Sequence, residues 1–407
     1  MNCRHCNHKL THVFADLQTC PPSNAMVKPE QLNHPETYFP LKVFVCEKCW
    51  LVQVDELEKA DAIFNNEYTY FSSYSTSWLQ HAKSYTDYMT KRFGFNENSL
   101  VVEVASNDGY LLQYFKEKNI PVLGVEPTAN TAKVAIEKGI ENIIDFFGSS
   151  LAENKLKSKA DLILGNNVLA HVPNINDFVK GVKIALKPNG VNTFEFPHLL
   201  QLVQHNQFDT IYHEHFSYLS LTNLVSVFEQ QGLKIFDVQE LGTHGGSLRI
   251  FAKHTEDNSK TIEPTVATML SKEKAAGIDT LAYYQNFQSK VEKIKYDFIE
   301  FLINQKRAGK KVIGYGAAAK GNTLLNYCGI KGNDLIEYVV DASPYKQQKF
   351  LPGSRIPVLS KEAIEETKPD FIVIFPWNLT EEISQQLHYV KNWDCKFVIA
   401  IPELIIF

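Results

Sequence analysis

The sequence predicts an α/β protein in three parts: a small cysteine-bearing module at the N-terminus, a central Rossmann-like sheet, and a second Rossmann-like α/β domain at the C-terminus. Three observations lead there. The chain has 407 residues, too many for one hydrophobic core. Four of its seven cysteines fall in two C-x2-C pairs within the first 49 residues. Apolar strand patterns alternate with helical ones twice, once from about residue 99 and again from about residue 310.

Taken in order, residues 1–66 form the first part, rich in prolines (21, 22, 29, 35 and 40) and short strand patterns. Cys3 with Cys6 and Cys46 with Cys49 each set two thiolates on a tight turn. Two such turns can close a four-coordinate structural zinc site, with no position left for a substrate. The run 41–54, LKVFVCEKCWLVQV, alternates as a hairpin gripping the second pair. Cys20, Cys328 and Cys395 stand alone.

Residues 67–260 form the second part. An aromatic stretch (68–78) leads into a helical pattern through Tyr88 and Phe93. Strands are expected at 99–108, 121–128, 142–147, 161–168 and 190–197, with helices at 110–118, 129–138 and 175–186. The runs 232–241 and 246–254 read as an antiparallel closing hairpin. Residues 261–407 form the third part: a helical stretch of about 264–308, then strands in the runs 310–321, 336–343, 371–376 and 395–402.

Composition narrows the function. With 41 basic and 46 acidic side chains the net charge is −5, which argues against a nucleic-acid-binding surface. No apolar run approaches the eighteen residues of a membrane span, and the N-terminus lacks a secretory h-region. A cytoplasmic protein that binds neither nucleic acid nor membrane is expected, and, with three parts in one chain, a monomer.

Glu103, the turn Ala105-Ser106-Asn107-Asp108-Gly109 with Tyr110 behind it, and Glu126-Pro127 ending the next strand form a nucleotide-cofactor pattern. Small residues let backbone approach a ligand, and the second acid can accept ribose hydroxyls. Ala105 and Asn107 stand where glycines are usual, which suits a methionine tail better than a pyrophosphate. Dinucleotide and S-adenosylmethionine both remain open on this pattern. Asp145, Phe146 and Asn166, near later strand ends, are where an adenine would lie. The densest polar cluster is Tyr212-His213-Glu214-His215, followed by Phe216-Ser217-Tyr218; it follows no regular period and reads as a rim loop suited to proton transfer. His171 can face the same mouth. A glycine-rich turn, Thr243 to Arg249, offers His244, Ser247 and Arg249 as substrate contacts.

The paired cysteines, VEVASNDGYLL, GVEPT, NNVLAHVPN, YHEHFSY, THGGSLRIF and GYGAAAKGNTLL, in this order, resemble the bacterial sugar-nucleotide C-methyltransferases across essentially the whole chain. The family pattern carries a glycine where Ala105 stands. The resemblance implies a class I methyltransferase sheet in the centre and S-adenosylmethionine as cofactor. It implies methylation at C3 of a nucleoside-diphosphate 4-keto-6-deoxysugar, dTDP favoured over GDP or CDP, in deoxysugar biosynthesis. By position, His215 resembles the general base, with Glu214 orienting its imidazole or stabilising its charged form. Tyr212 and His171 would hydrogen-bond the sugar or its oxyanion, Tyr70 would close over the site, and Lys320 and Lys346 would hold the diphosphate. His213 is the rival base.

Two other readings compete. The run 314–321, GYGAAAKG, also fits a G-x-G-x-x-A dinucleotide turn, with Asp341 ending the next strand, as in an NAD-dependent sugar oxidoreductase. A non-catalytic nucleotide-sugar-binding protein would require the YHEH loop to be inert.

Overall fold

The computed structural model of the chain describes every residue except 58, 60, 62, 63 and 65–69. The expected boundary between residues 66 and 67, and the first two residues of the aromatic stretch, lie outside the described residues.

Strands β1 (His12–Cys20), β2 (Phe39–Val45) and β3 (Val52–Val54) form an antiparallel sheet. Leu41, Val43 and Val45 are buried at every second position of β2, the period of a strand with one face on a core. Phe14 of β1 stacks on Phe287 with ring centroids 4.4 Å apart. Cys46 and Cys49 occupy the β2–β3 turn, closed by Trp50 N donating to the Cys46 carbonyl (2.9 Å). Cys3 and Cys6 occupy a similar turn, in which Asn7 N donates to the Cys3 carbonyl (2.9 Å). The four sulfurs lie within 4.8 Å of one another, with Cys3–Cys49 and Cys6–Cys46 both at 3.5 Å. Four thiolates about 2.3 Å from a central ion are a tetrahedral zinc set. The four cysteines thus form a zinc-binding set, and none of the seven cysteines is in a disulfide.

The central sheet has seven strands. Its parallel part comprises β4 (Val101–Val104), β5 (Val122–Val125), β6 (Asn142–Ile143), β7 (Ala160–Asn166) and β8 (Leu186–Pro197). All four residues of β4 are buried, as a parallel strand covered by helices on both faces requires. Only two residues of the expected strand 142–147 pair, because β6 lies at the sheet edge; Ile144, Asp145 and Phe146 run on exposed. The chain then sends β9 (Ser217–Tyr218) out of this sheet to pair with β3, as the zinc module's fourth strand. The closing hairpin is β10 (Leu233–Leu241) and β11 (Ser247–His254). Strand β11 inserts antiparallel between β8 and β10, giving the order β10-β11-β8-β7-β4-β5-β6.

The helical stretch divides into Pro264–Ala276, Ala282–Gln285 and Phe287–Arg307. Gly277, at φ +94°, ends the first helix in a left-handed cap that a side chain would strain. The last sheet contains β12 (Val312–Tyr315), β13 (Val339–Val340), β14 (Val358–Leu359), β15 (Phe371–Ile374), β16 (Lys396–Ile399) and β17 (Ile405–Ile406), ordered β14-β13-β12-β15-β16-β17. All its pairings are parallel except that of the edge strand β17. Among the described residues no helix is long and apolar enough to cross a membrane.

Because the ion would join the β2–β3 turn to the N-terminal Cys3–Cys6 turn, metal binding contributes folding energy to this module. Elemental analysis should return about one zinc per chain, the content of one four-cysteine site. Cys46→Ser should lower the melting temperature and soluble yield more than it lowers turnover per folded molecule.

Candidate active site

A cleft of about 1150 Å³ opens between the carboxyl ends of the two parallel sheets. Val104, Val125 and Asn166 of the central sheet line one side; Ala318, Lys320 and Pro376 of the last domain line the other. The carboxyl edge of an open α/β sheet is where ligands bind. Here two such edges share one cavity.

On the first side, the turn after β4 is left-handed at both positions where glycines are usual, Ala105 (φ 58°) and Asn107 (φ 49°). A side chain in this region costs about 1–2 kcal/mol, so hydrogen bonds must hold the turn. Glu126 supplies one, accepting from Asn107 N (2.9 Å), while its other oxygen accepts from Thr128 N (2.9 Å) and the Thr128 hydroxyl. Asn107 in turn accepts from Ser72 N (2.9 Å) and donates to the Tyr70 carbonyl (3.1 Å), tying residues 70–72 across the turn. Ala105, Asn107, Tyr110, Glu126, Pro127, Phe146 and Asn166 all line the cleft, and Asn166 Nδ2 donates to the Tyr110 hydroxyl (3.3 Å). A strained turn exposing backbone, a carboxylate on the wall and an exposed aromatic fit a nucleoside cofactor.

Four residues expected to touch that cofactor do not reach the cavity. Glu103 is fully buried within the sheet, and burial holds its carboxyl well above the usual range. Asp108 accepts from Ser73 N (3.3 Å), and its carbonyl accepts from Lys138 Nζ (2.7 Å). Gly109, at φ +74°, packs so tightly that a Cβ would lie 2.6 Å from Ile140 Cδ1; its role is packing and turn geometry. Asp145 is exposed and bonds the next backbone N–H, that of Phe146 (2.8 Å).

The YHEH segment is a loop, as its lack of period implied. His215 Nδ1 lies 2.8 Å from the Thr210 carbonyl, which can only accept, so Nδ1 carries the proton and Nε2 holds the lone pair. Nε2 makes no hydrogen bond among the described residues. Burial drives the His215 imidazole well below its ordinary pKa, and His171, Lys320 and His244 reinforce this. The Tyr212 ring lies 4.0 Å and the His171 ring 4.6 Å from it, centroid to centroid, and all three line the cleft with Tyr70. Burial also lowers His171 to about 4. His213 faces elsewhere: its Nε2 donates to the Pro40 carbonyl (3.2 Å) and its ring meets Phe39 edge-on. Glu214 lines the cleft but accepts from Asn24 Nδ2 (2.6 Å). The imidazole's orienting partner is thus the Thr210 carbonyl, not the expected carboxylate.

Of the three contacts expected from the glycine-rich turn, only His244 reaches the cleft, accepting from Asn167 Nδ2 (2.9 Å); Thr243 beside it lines the cleft as well. Ser247 is buried and donates to the Thr243 carbonyl (3.0 Å). Arg249 lies beneath the floor, 2.6 Å from Glu195 and over the Tyr85 ring. Burial alone would raise the Glu195 carboxyl, yet the His81 hydrogen bond and the Arg249 guanidinium bring it down to about 2. From the last domain, Lys320 Nζ donates to Asn378 Oδ1 (2.7 Å), and Lys346 Nζ donates to the Ala317 carbonyl (2.8 Å) near Asp341 (3.9 Å). Both lysines line the cleft.

Sequence reasoning missed Asn24, Trp78, Asn167 and Thr210 as cleft residues. Asn167 carried a signal, since the Asn166-Asn167 pair after a strand favours the left-handed turn that it makes (φ 61°). Thr210 acts through its carbonyl, which no residue type announces.

Fold and cleft together define an S-adenosylmethionine-dependent methyltransferase with a zinc-binding module. Residues 3–64 match a zinc binding domain, 59–238 a methyltransferase domain, and 242–402 a C-methyltransferase C-terminal domain. The chain is 36% identical over 404 residues to the C-methyltransferase NovU of Streptomyces niveus, covering 98% of this chain and 95% of that protein. The chain belongs to this C-methyltransferase family. Among solved structures, PH0226 protein from Pyrococcus horikoshii overlaps 46% of this chain and 95% of its own (15% identity, TM-score 0.38). Magnesium protoporphyrin IX methyltransferase from Synechocystis, with bound S-adenosylmethionine, overlaps 43% of this chain and 78% of its own (14% identity, TM-score 0.34).

Removing one partner of a buried ion pair strands the other. Arg249→Ala should therefore cost about 3–5 kcal/mol of stability, read by denaturant unfolding, because Glu195 loses its cation. A raised substrate KM with unchanged stability would contradict this placement.

Proposed function

We propose that the protein methylates C3 of a nucleoside-diphosphate 4-keto-6-deoxysugar through an enolate, with His215 as the base. The observation carrying this reading is the His215 tautomer: Nδ1–H is committed to the Thr210 carbonyl, so the neutral Nε2 is the basic atom in a cleft shared with the cofactor turn. S-adenosylmethionine supplies an electrophilic methyl group when bound. Nε2 takes the proton from C3 and the C–H electrons delocalise onto the C4 carbonyl oxygen. As they return, C3 forms the new bond to the methyl carbon, whose bond to sulfur would break with its electron pair leaving on the thioether, S-adenosylhomocysteine. The Tyr212 hydroxyl stays protonated, because burial holds its pKa well above the ordinary value, and so it can donate to the developing oxyanion. The charged His215 is left beside a neutral His171 and returns its proton to solvent once product leaves. Lys320 and Lys346 bind the diphosphate from the opposite wall, and Glu126 accepts the cofactor's ribose hydroxyls. A dTDP-sugar is the favoured substrate.

Incubation with S-adenosylmethionine and a panel of 4-keto-6-deoxy nucleotide sugars should add one methyl mass to a single class of them. His215→Asn should abolish both methyl transfer and exchange of the C3 proton with deuterated solvent, whereas His213→Asn should retain both. The reverse pattern would move the base to His213.

Because the folded His215 pKa lies below 6.5, its basic form persists on lowering the pH through that value and is lost only as pH falls through the depressed pKa. The exchange rate should accordingly stay level from pH 8 to about 6.5, the ordinary imidazole value. A fall centred on that ordinary value would instead indicate a solvated imidazole.

Glu126→Ala should weaken S-adenosylmethionine at least about tenfold by calorimetry, since a charged acceptor and the Asn107 brace are lost together. Unchanged affinity would remove Glu126 from the cofactor site.

A further inference from the structure

The base loop is gripped by the last domain through a contact that the proposed chemistry does not use. Asp209 sits in the turn Phe208–Thr210, is 1% exposed, and accepts from Trp377 Nε1 (2.7 Å) through one oxygen; its other oxygen has no hydrogen-bond partner among the described residues. The next residue is Thr210, whose carbonyl orients His215. Trp377 belongs to the loop after β15 and is wedged on two further sides. Lys320 Nζ lies 4.3 Å from its ring centroid, and a Cβ on Gly245 would come within 2.2 Å of its ring. Gly245 is at φ +86°, so both its conformation and the indole's proximity exclude a side chain there. Thr323, on the helix that begins beside Lys320, donates to the Ile211 carbonyl (2.9 Å) on the far side of the same turn.

We infer that Trp377 and Asp209 are positioning residues for His215: the indole N–H holds the 208–210 turn so that the Thr210 carbonyl fixes the imidazole's tautomer and direction. The inference rests on His215 being the base. It gives the last domain a second task, making proton abstraction depend on that domain being seated. The indole itself is not among the residues that line the cleft. Two features distinguish this contact from ordinary domain packing. It ends on a buried carboxylate with no other side-chain partner among the described residues, and it lies one residue from the atom that orients the base. Burial raises the Asp209 carboxyl to about 6, against the pull of Lys320 and the indole.

The test uses the full-length protein with dTDP-4-keto-6-deoxyglucose and S-adenosylmethionine, with rates normalised to cofactor-binding sites titrated by calorimetry so that misfolded chains do not count. Trp377→Phe keeps the ring and removes the donor. It should lower kcat and the C3 deuterium-exchange rate together, by about ten- to a hundredfold, the loss that slight misplacement of a reacting group brings. Affinity for S-adenosylmethionine should be unchanged. Asp209→Asn keeps an acceptor for the indole and should stay within about threefold of wild type, whereas Asp209→Ala should match Trp377→Phe. The double variant Trp377→Phe/Asp209→Ala should fall no further than either single change, as for two residues acting as a unit.

Wild-type exchange rates in Trp377→Phe and Asp209→Ala overturn the inference. Equal losses in Asp209→Asn and Asp209→Ala also overturn it, since they point to a need for charge rather than for the hydrogen bond. His215→Asn, run alongside, separates the two levels. If it leaves exchange intact, the base assignment fails and the inference with it; if it abolishes exchange while Trp377→Phe does not, only the inference fails.

Discussion

Segment 208–218 is held at both ends by other parts of the chain, and the site depends on that. Upstream of His215, the last domain grips it through Trp377 on Asp209 and Thr323 on Ile211. Downstream, Ser217 and Tyr218 leave the central domain to pair with β3 of the zinc sheet. A loop without helical or strand period has no geometry of its own. Its shape is whatever its anchors impose, and here the anchors come from the last domain and from the zinc sheet. The zinc module therefore does more than cap the N-terminus: the hairpin whose turn carries Cys46 and Cys49 also fixes the backbone two residues beyond His215.

Burial then sets the electrostatics. Buried imidazoles cannot take up protons cheaply, so His171, His215 and His244 are all pushed below their ordinary pKa values, with Lys320 adding to the effect at His215 and His244. Low basicity makes each a poorer proton acceptor in equilibrium terms, yet ensures that the acceptor is present in its neutral form. Beneath the floor the opposite rule operates. Glu195 stays charged inside the protein because His81, Thr243 and Arg249 all hydrogen-bond it, and the strand ends below the cleft are locked by that network.

The cofactor turn shows how a local rule is broken and compensated. Two non-glycine residues occupy left-handed backbone at Ala105 and Asn107. The strain is offset by bonds from outside the turn: Glu126 to Asn107 N, and residues 70 and 72 to the Asn107 side chain. Asparagine tolerates this region better than most residues, and its amide is what ties residues 70–72 to the site. The substitution that seemed to cost a glycine also supplies a strap.

Much was legible in the chain alone. The C-x2-C pairs, the strand–helix alternation and the placement of strand β4, its small-residue turn and Glu126 are local patterns, because cysteine spacing, apolar period and turn chemistry act over a few residues. The aperiodic YHEH cluster was legible as a loop for the same reason. What the sequence could not decide is where side chains point once distant segments meet. Arg249 and Ser247 looked like substrate contacts but are buried under the floor, since β11 inserts in mid-sheet and carries them with it. His213 and His215, two residues apart beside the same glutamate, part company because one packs on β2 and the other on the Thr210 carbonyl. Asp209, Thr210 and Trp377 carry no motif at all. The sequence by itself determined the three-part fold, the metal ligands and the stretch of chain that forms the cofactor turn. Only the tertiary structure decided which histidine faces the cleft and what holds it there, because those depend on contacts between residues as much as 173 positions apart.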